Sequence, residues 1–285
     1  MSAVVDPRPP SLGASSRRRL VHGGFTVAAF AYVGILVLAP LIGIALQALR
    51  PGWSQIWTLL RSPDVMHAYQ LTAIITVITV VVTTVLGVIV ALVVAGDRFP
   101  GKALVSAFVD LPIAVSPVIV GVMAILLFGR EGLFEAWFAA RGIDVLFALP
   151  SMALVTIFIC IPFVIREVVP VLHELGTAEE EAARTLGASS FQTFFRVTLK
   201  NIRWGLLYGI ALSTARSIGE IGAVLIVSGA ITGQTETATL YILREFDQFR
   251  DANGFVVALS LALVSVVLLV GIETFKRRQQ KERET

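Results

Sequence analysis

Arg216 and Glu220 stand four residues apart inside an otherwise uncharged run from Trp204 to Ile231. That spacing sets two side chains on one face of a helix, close enough to pair. An ionisable group within an apolar span is costly, and it faces a bundle interior or a watery path. The pair therefore has two readings. Either Arg216 helps an anion cross while Glu220 restrains it from being held too tightly, or the two form an ion pair that only fixes packing. A second constellation is Asp110 with Pro112, Ser116 and Pro117. Two prolines interrupt an apolar run, and a broken membrane helix exposes backbone groups that line a cavity; kinking alone also explains them, and Asp110 reads equally as an interfacial residue. The candidate path residues are Arg216, Glu220, Asp110, Ser116 and Pro117.

Other chemistry finds no support. His22, His67 and His173 are scattered, so they offer no metal-ligand spacing. Cys160 is the single cysteine and lies in an apolar run, which points to helix packing. No Ser/His/Asp or Cys/His set stands out, so no catalytic residue is expected. The stretch Gly96-Asp97-Arg98-Phe99-Pro100-Gly101-Lys102-Ala103 nearly matches the phosphate-binding pattern G-x-x-x-x-G-K-[ST]. Ala103, however, occupies the place of the magnesium-binding hydroxyl, and the run before it is far too long for a strand. A turn between membrane helices accounts for its glycine, proline and basic residues.

The elements that must position these residues follow from composition. The chain has 285 residues, 56% hydrophobic and 15% charged, with a mean hydropathy of +0.82. A soluble domain carries roughly 25% charged residues, so much of this chain has lipid as its solvent. Residues 1–19, rich in Pro, Ser and Arg, read as a disordered tail. A permease domain is expected over 20–275, and 276–285 as a basic C-terminal tail.

A spanning helix needs about 20 mostly apolar residues. Suitable stretches are Leu20–Leu49, Val65–Gly96, Leu111–Gly129, Val145–Ile165, Trp204–Ile231 and Ala252–Ile272. The first is about twice a signal-peptide core and is read as retained. With the N-terminus in the cytoplasm, 16 of the 23 Lys and Arg residues lie inside, 6 outside and Arg216 within a span, as the positive-inside bias requires. The expectation is six helices with both termini cytoplasmic.

The cytoplasmic segment 166–203 is the longest loop. A helix is expected over Ala178–Leu186 and another over Ser189–Leu199, where Phe191, Phe194, Phe195 and Val197 cluster at helical spacing. Gly187 suits the position after the first helix, where positive φ is cheap only for Gly, and Ser189 or Ser190 suits an N-cap. The product is a helix–turn–helix projecting from the bilayer, or else an amphipathic helix lying on it.

Glu181-Ala182-Ala183-Arg184-Thr185-Leu186-Gly187 resembles the EAA loop of ABC importer permeases, whose pattern is E-A-A-x3-G-x9-I-x-L-P. Val197 stands at the Ile position, Leu199 matches, and Lys200 replaces the Pro. The segments Asp110–Val118, Cys160–Glu167 and Ala215–Val224 are similar to the sulfate/thiosulfate importer permeases, the W type above all. The resemblance implies an all-α type I importer permease fold (MetI-like) with cytoplasmic coupling helices. It implies ATPase-coupling roles for Glu181, Ala182, Ala183, Gly187, Val197 and Leu199. It also implies three partners: a T-type permease, a dimer of ATPase subunits that binds ATP and Mg, and an extracytoplasmic sulfate-binding protein. No cofactor is expected on this chain. The alternatives are a permease for molybdate or tungstate and an ion-coupled secondary carrier; the long docking loop is superfluous for the latter.

Overall fold

The computed structural model describes residues 12–96 and 100–284. Residues 1–11 of the expected tail, and Asp97, Arg98 and Phe99 of the phosphate-loop look-alike, lie outside the described residues. The elements are α1 (Leu12–Leu49), α2 (Trp53–Leu60), α3 (Pro63–Ala95), α4 (Lys102–Ala114), α5 (Pro117–Phe128), α6 (Glu135–Ala139), α7 (Leu149–Leu175) and α8 (Ala178–Thr185). They continue with α9 (Ser190–Ile218), α10 (Gly222–Ser228), α11 (Ala238–Asp247) and α12 (Asp251–Glu284). The stretch ahead of Gly96 is thus a helix, and Lys102 Nζ donates to the Gly96 carbonyl across the turn at 3.1 Å. Helix α1 already begins at Leu12, inside the expected tail, and α12 runs on through the basic C-terminal residues.

Among the described residues, four helices are long and apolar enough to cross a membrane, or up to six if the bent pairs α4 with α5 and α9 with α10 each count as one span. The packing sets the direction in which these helices run. Leu71 and Ile75 of α3 meet Met152, Val155 and Ile159 near the start of α7, and Val88 and Ala91 meet Val164, Ile165 and Val168 near its end. Helices α3 and α7 therefore run parallel, so the chain between them returns from one end of the bundle to the other. Helix α9 runs the other way: its Gly205 lies against Glu167 and Val171, its Gly209 against Val164, and Ser213 against Thr83. Helices α1, α2 and α12 pack together beside this core through Ala48, Ile56 and Val256. The first turn of α1 and the last turn of α12 consequently lie on the face that carries α8.

The breaks have local causes. Pro117 lacks an N–H and forces the preceding residue into extended backbone; Ser116 sits at φ −59°, ψ 136°, and α5 restarts at Pro117 with a bend of 112°. The second break spans Gly219–Ile221 and bends by 53°.

Close packing of the three central helices depends on small residues, as is usual in lipid, where association relies on van der Waals fit. A Cβ on Gly205 would lie 2.6 Å from the Glu167 carbonyl, and one on Gly87 2.8 Å from Val164 Cβ.

Candidate functional site

The segment expected to couple is a bent arm. Helix α8 carries Glu179, Glu180 and Glu181 in its first turn, where carboxylates suit the positive helix end. Glu181 accepts from the Thr177 hydroxyl at 2.7 Å. Gly187 follows the helix at φ 87°, the left-handed geometry that glycine adopts at no steric cost. Ser189 then caps α9 in a full capping box with Gln192. Glu181, Ala182 and Gly187 are exposed, and Ala183 is half-buried. Leu186 at the elbow is 89% exposed and Phe191 72% exposed.

The expected second helix is not a separate arm. From Ser190 the chain passes one π-turn at Phe194–Thr198 and continues as α9 into the bilayer, with Val197 and Leu199 half-buried at its base. Helix α7 extends to Leu175 and takes Arg166 into the helix. Two contacts tie α8 back to α9: Thr198 donates to Glu180 and Asn201 donates to Glu179, each at 2.5 Å.

At the other end of α9, Arg216 Nη1 lies 2.7 Å from Glu220 Oε2, so the i,i+4 pair forms. Glu220 sits within the break, its side chain 1% exposed. Its Oε1 accepts from the Ala223 N–H at 2.9 Å, and its carbonyl accepts from the Thr239 hydroxyl of α11 at 2.8 Å. The side chain therefore satisfies a freed donor of α10 as well as the cation. Arg216 remains 30% exposed beyond this contact.

The two breaks meet. A Cβ on Gly222 would lie 3.0 Å from Pro117 Cβ and 3.5 Å from the Val118 nitrogen. Pro117 thus lies against Gly222, two residues beyond Glu220. Asp110 sits on α4, where its Oδ1 takes both Nε and Nη2 of Arg166, at 3.0 and 2.8 Å.

Two polar features went unseen in the sequence. Thr72, Thr76, Thr79 and Thr83 form a buried stripe on α3. Thr76 accepts from Ser217 at 3.3 Å, and Thr83 pairs with Ser213 at 3.1 Å. The 4–3–4 spacing of threonines in a hydrophobic run was the available signal. The other feature is a buried acidic pair on the face opposite α8. Arg244 holds Glu236 at 3.2 Å, while Glu245 takes Arg250 at 2.8 Å and the Asn253 amide at 2.9 Å. Burial pushes the Glu236 carboxyl above its ordinary range, with Arg244 opposing. Nothing in the spacing of these loop residues announces it. Among the described residues, no group of three His, Cys, Asp or Glu side chains is arranged to hold a metal.

Residues 84–281 match the family of binding-protein-dependent transport system inner membrane components. The chain is 44% identical over 247 residues to the sulfate transport system permease protein CysW of Synechocystis, covering 87% of this chain and 90% of that one. It is 39% identical to the protein of that name in Escherichia coli K12, over 97% and 95% of the two chains. The Escherichia coli sulfate permease protein CysT is 35% identical, over 93% and 96%. The fold is shared with the crystal structure of a bacterial alginate ABC transporter in complex with alginate pentasaccharide-bound periplasmic protein. There the TM-score is 0.77 at 19% identity, over 95% of this chain and 98% of the other.

Proposed function

This chain belongs to the family of binding-protein-dependent transport system inner membrane components, and we propose that it is the W-type permease subunit of an ATP-driven importer of sulfate and thiosulfate. The sulfate permeases among its relatives, matched along almost their whole length, support that substrate class. In this reading both termini and α8 are cytoplasmic, in keeping with the bias of Lys and Arg. A T-type permease completes the conduit, a dimer of ATPase subunits binds ATP and Mg, and an extracytoplasmic binding protein delivers the anion.

One observation carries the mechanism: α9 links the elbow to the arginine. It runs from Ser190, beside Gly187, to Ile218, two residues past Arg216. At 1.5 Å per residue that is about 43 Å of continuous helix. The exposed Leu186 and Phe191 offer an ATPase an apolar grip, with Glu181, Ala182, Ala183 and Gly187 shaping the elbow and Val197 and Leu199 seating its base. Displacement of the elbow is delivered to the level where the broken spans meet. There Arg216 faces the anion, Glu220 keeps the local charge balanced so that the anion is not trapped, and Ser116 and Pro117 form the opposing wall. The chain contributes conduit and lever; hydrolysis belongs to its partner.

The complete transporter in proteoliposomes tests this. Labelled sulfate should enter only with ATP and the binding protein, with thiosulfate competing. Gly187→Val, which forces a branched side chain to positive φ, should insert normally and hydrolyse ATP without uptake. Uptake without ATP, competition by molybdate alone, or coupled transport by Gly187→Val would each overturn the proposal.

A further inference from the structure

Glu220 is gripped from outside its own span. Its carboxylate acts within the broken helix, meeting Arg216 and the Ala223 N–H. Its backbone carbonyl is taken by a different helix: the Thr239 hydroxyl of α11 donates to it at 2.8 Å. The residue is buried and lies in the break, between Gly219 at φ −90°, ψ 9° and Ile221 at φ −129°, ψ −44°. A carbonyl buried where the helical ladder ends has to find a donor, and Thr239 supplies one.

Proton counting gives this contact a direction. Thr239 has one hydroxyl proton, and it goes to the Glu220 carbonyl. In the Thr237–Thr239 pair, 3.0 Å apart, Thr237 is therefore the donor. Thr237 in turn accepts from the Leu240 N–H at 3.4 Å, as the N-cap of α11. Beside it the Ala238 N–H donates to the Thr72 hydroxyl at 2.9 Å, whose own proton goes to the Ala68 carbonyl at 2.8 Å. The first turn of α11 is thus bolted to α3, and Ala238 and Tyr241 pack against Val65, Ala68 and Val257. Thr239 stands on a fixed support and holds the backbone of the break.

We propose that Thr239 is a positioning residue of the anion site: its hydroxyl fixes the Glu220 backbone to α11 and so holds the carboxylate where it faces Arg216. The proposal rests on the reading of Arg216 and Glu220 as the residues that serve the anion, and deepens it. A swing of α10 at the break must carry α11 with it or part this hydrogen bond. The hydroxyl therefore sets how far the carboxylate can leave the guanidinium, and it acts through Glu220 without any contact with the anion.

The test asks whether Thr239 governs the pair or only the stability of the chain. In the complete transporter in nanodiscs, thermal unfolding of R216Q, E220Q and the double variant measures the Arg216–Glu220 coupling. Thr239→Val keeps the branched shape and removes the hydroxyl, and the coupling constant should fall roughly three- to tenfold, the size of one hydrogen bond between neutral groups. Thr239→Ser should keep the native coupling. Thr237→Val is the control. It removes the cap and should lower the unfolding temperature, while the Thr239 hydroxyl still donates to Glu220 and the coupling stays. Should T239V not assemble, Thr239→Ala gives the same comparison. Unchanged coupling in T239V, equal losses in T239V and T239S, or coupling lost in T237V would each overturn the proposal. Uptake in proteoliposomes separates it from the function proposed above. T239V should import sulfate roughly three- to tenfold more slowly in the native background, and no more slowly than its parent in an E220Q background. Equal slowing in both backgrounds removes the positioning role alone. No ATP-driven uptake by the native transporter removes the function, while the coupling is still read from unfolding.

Discussion

Replacing Arg216 by Gln strands a carboxylate. Glu220 is 1% exposed and receives two contacts, Arg216 at 2.7 Å and the Ala223 N–H at 2.9 Å. Removing one member of a buried pair costs about 3–5 kcal/mol, because the remaining charge has neither water nor partner. The expected loss for R216Q is therefore about 3–5 kcal/mol. Glu220→Gln is milder. The amide oxygen still accepts from Ala223, and the 30% exposed guanidinium turns to water, so the loss is that of the ion-pair contact alone, about 1–2 kcal/mol. The double variant R216Q/E220Q leaves no orphan charge and should lie near E220Q. The implied coupling is about 3–5 kcal/mol.

Thermal unfolding of the complete transporter in nanodiscs gives the order, and uptake in proteoliposomes divides packing from transport. The double variant should regain stability without regaining sulfate uptake, because the anion's partner is gone. E220Q should bind and release with altered rates yet still transport. An E220Q protein as unstable as R216Q, or a double variant no firmer than R216Q, would refute the buried-pair argument. Full uptake by the double variant would reduce Arg216 to a packing residue.

Gly205→Ala should destabilise the transporter by about 1–3 kcal/mol, since its Cβ would meet the Glu167 carbonyl at 2.6 Å. Gly43→Ala in α1, with no neighbour within 4 Å, should be neutral or slightly stabilising in the same unfolding assay; equal losses would contradict the packing of α7 on α9. Glu236→Gln should flatten one component of the pH profile. Burial raises the Glu236 proton affinity in the fold above its unfolded value. Its stabilising share is therefore complete below the ordinary carboxylate range, near pH 4.3, and lost as pH rises through the raised pKa. The unfolding temperature of the native chain relative to E236Q, followed from about pH 4 to pH 8, should fall as the pH rises; a difference that grows with pH would reverse the sign and refute it.

What was legible in the sequence was whatever is set within one or two helical turns. The Arg216–Glu220 pair needed only the i,i+4 rule, and the Gly187 elbow and Ser189 cap needed only local chemistry. The Asp110 partner could not be read, because Arg166 is 56 positions away and the contact depends on how α4 lies along α7. A charged residue reads as the end of an apolar run, while the helix itself carries Arg166 onward to Leu175, with Asp110 beside it. The helix after the elbow was read as a projecting arm for a related reason. Phe191, Phe194, Phe195 and Val197 announce an amphipathic helix, while the π-turn at Phe194–Thr198 that joins it to the span has no signature in spacing.

The position of the breaks relative to the seams explains why a push at the elbow should act on Arg216 and not dissipate on the way. Gly205 and Gly209 bring α9 into backbone contact with α7, at Glu167 and Val164, and α7 is locked to α3 where Gly87 meets Val164. Below Arg216 the three helices therefore have little freedom to slide independently, because close-packed seams resist small shifts. The hydroxyl pairs Thr83–Ser213 and Thr76–Ser217 extend the seam upward to within one residue of Arg216. The regular ladder then ends at Gly219, and Glu220 alone supplies α10 with its side-chain hydrogen bond to the Ala223 N–H. A stiff lever with one yielding joint concentrates its motion at that joint, and the joint is where the guanidinium, the buried carboxylate and the Pro117 wall converge.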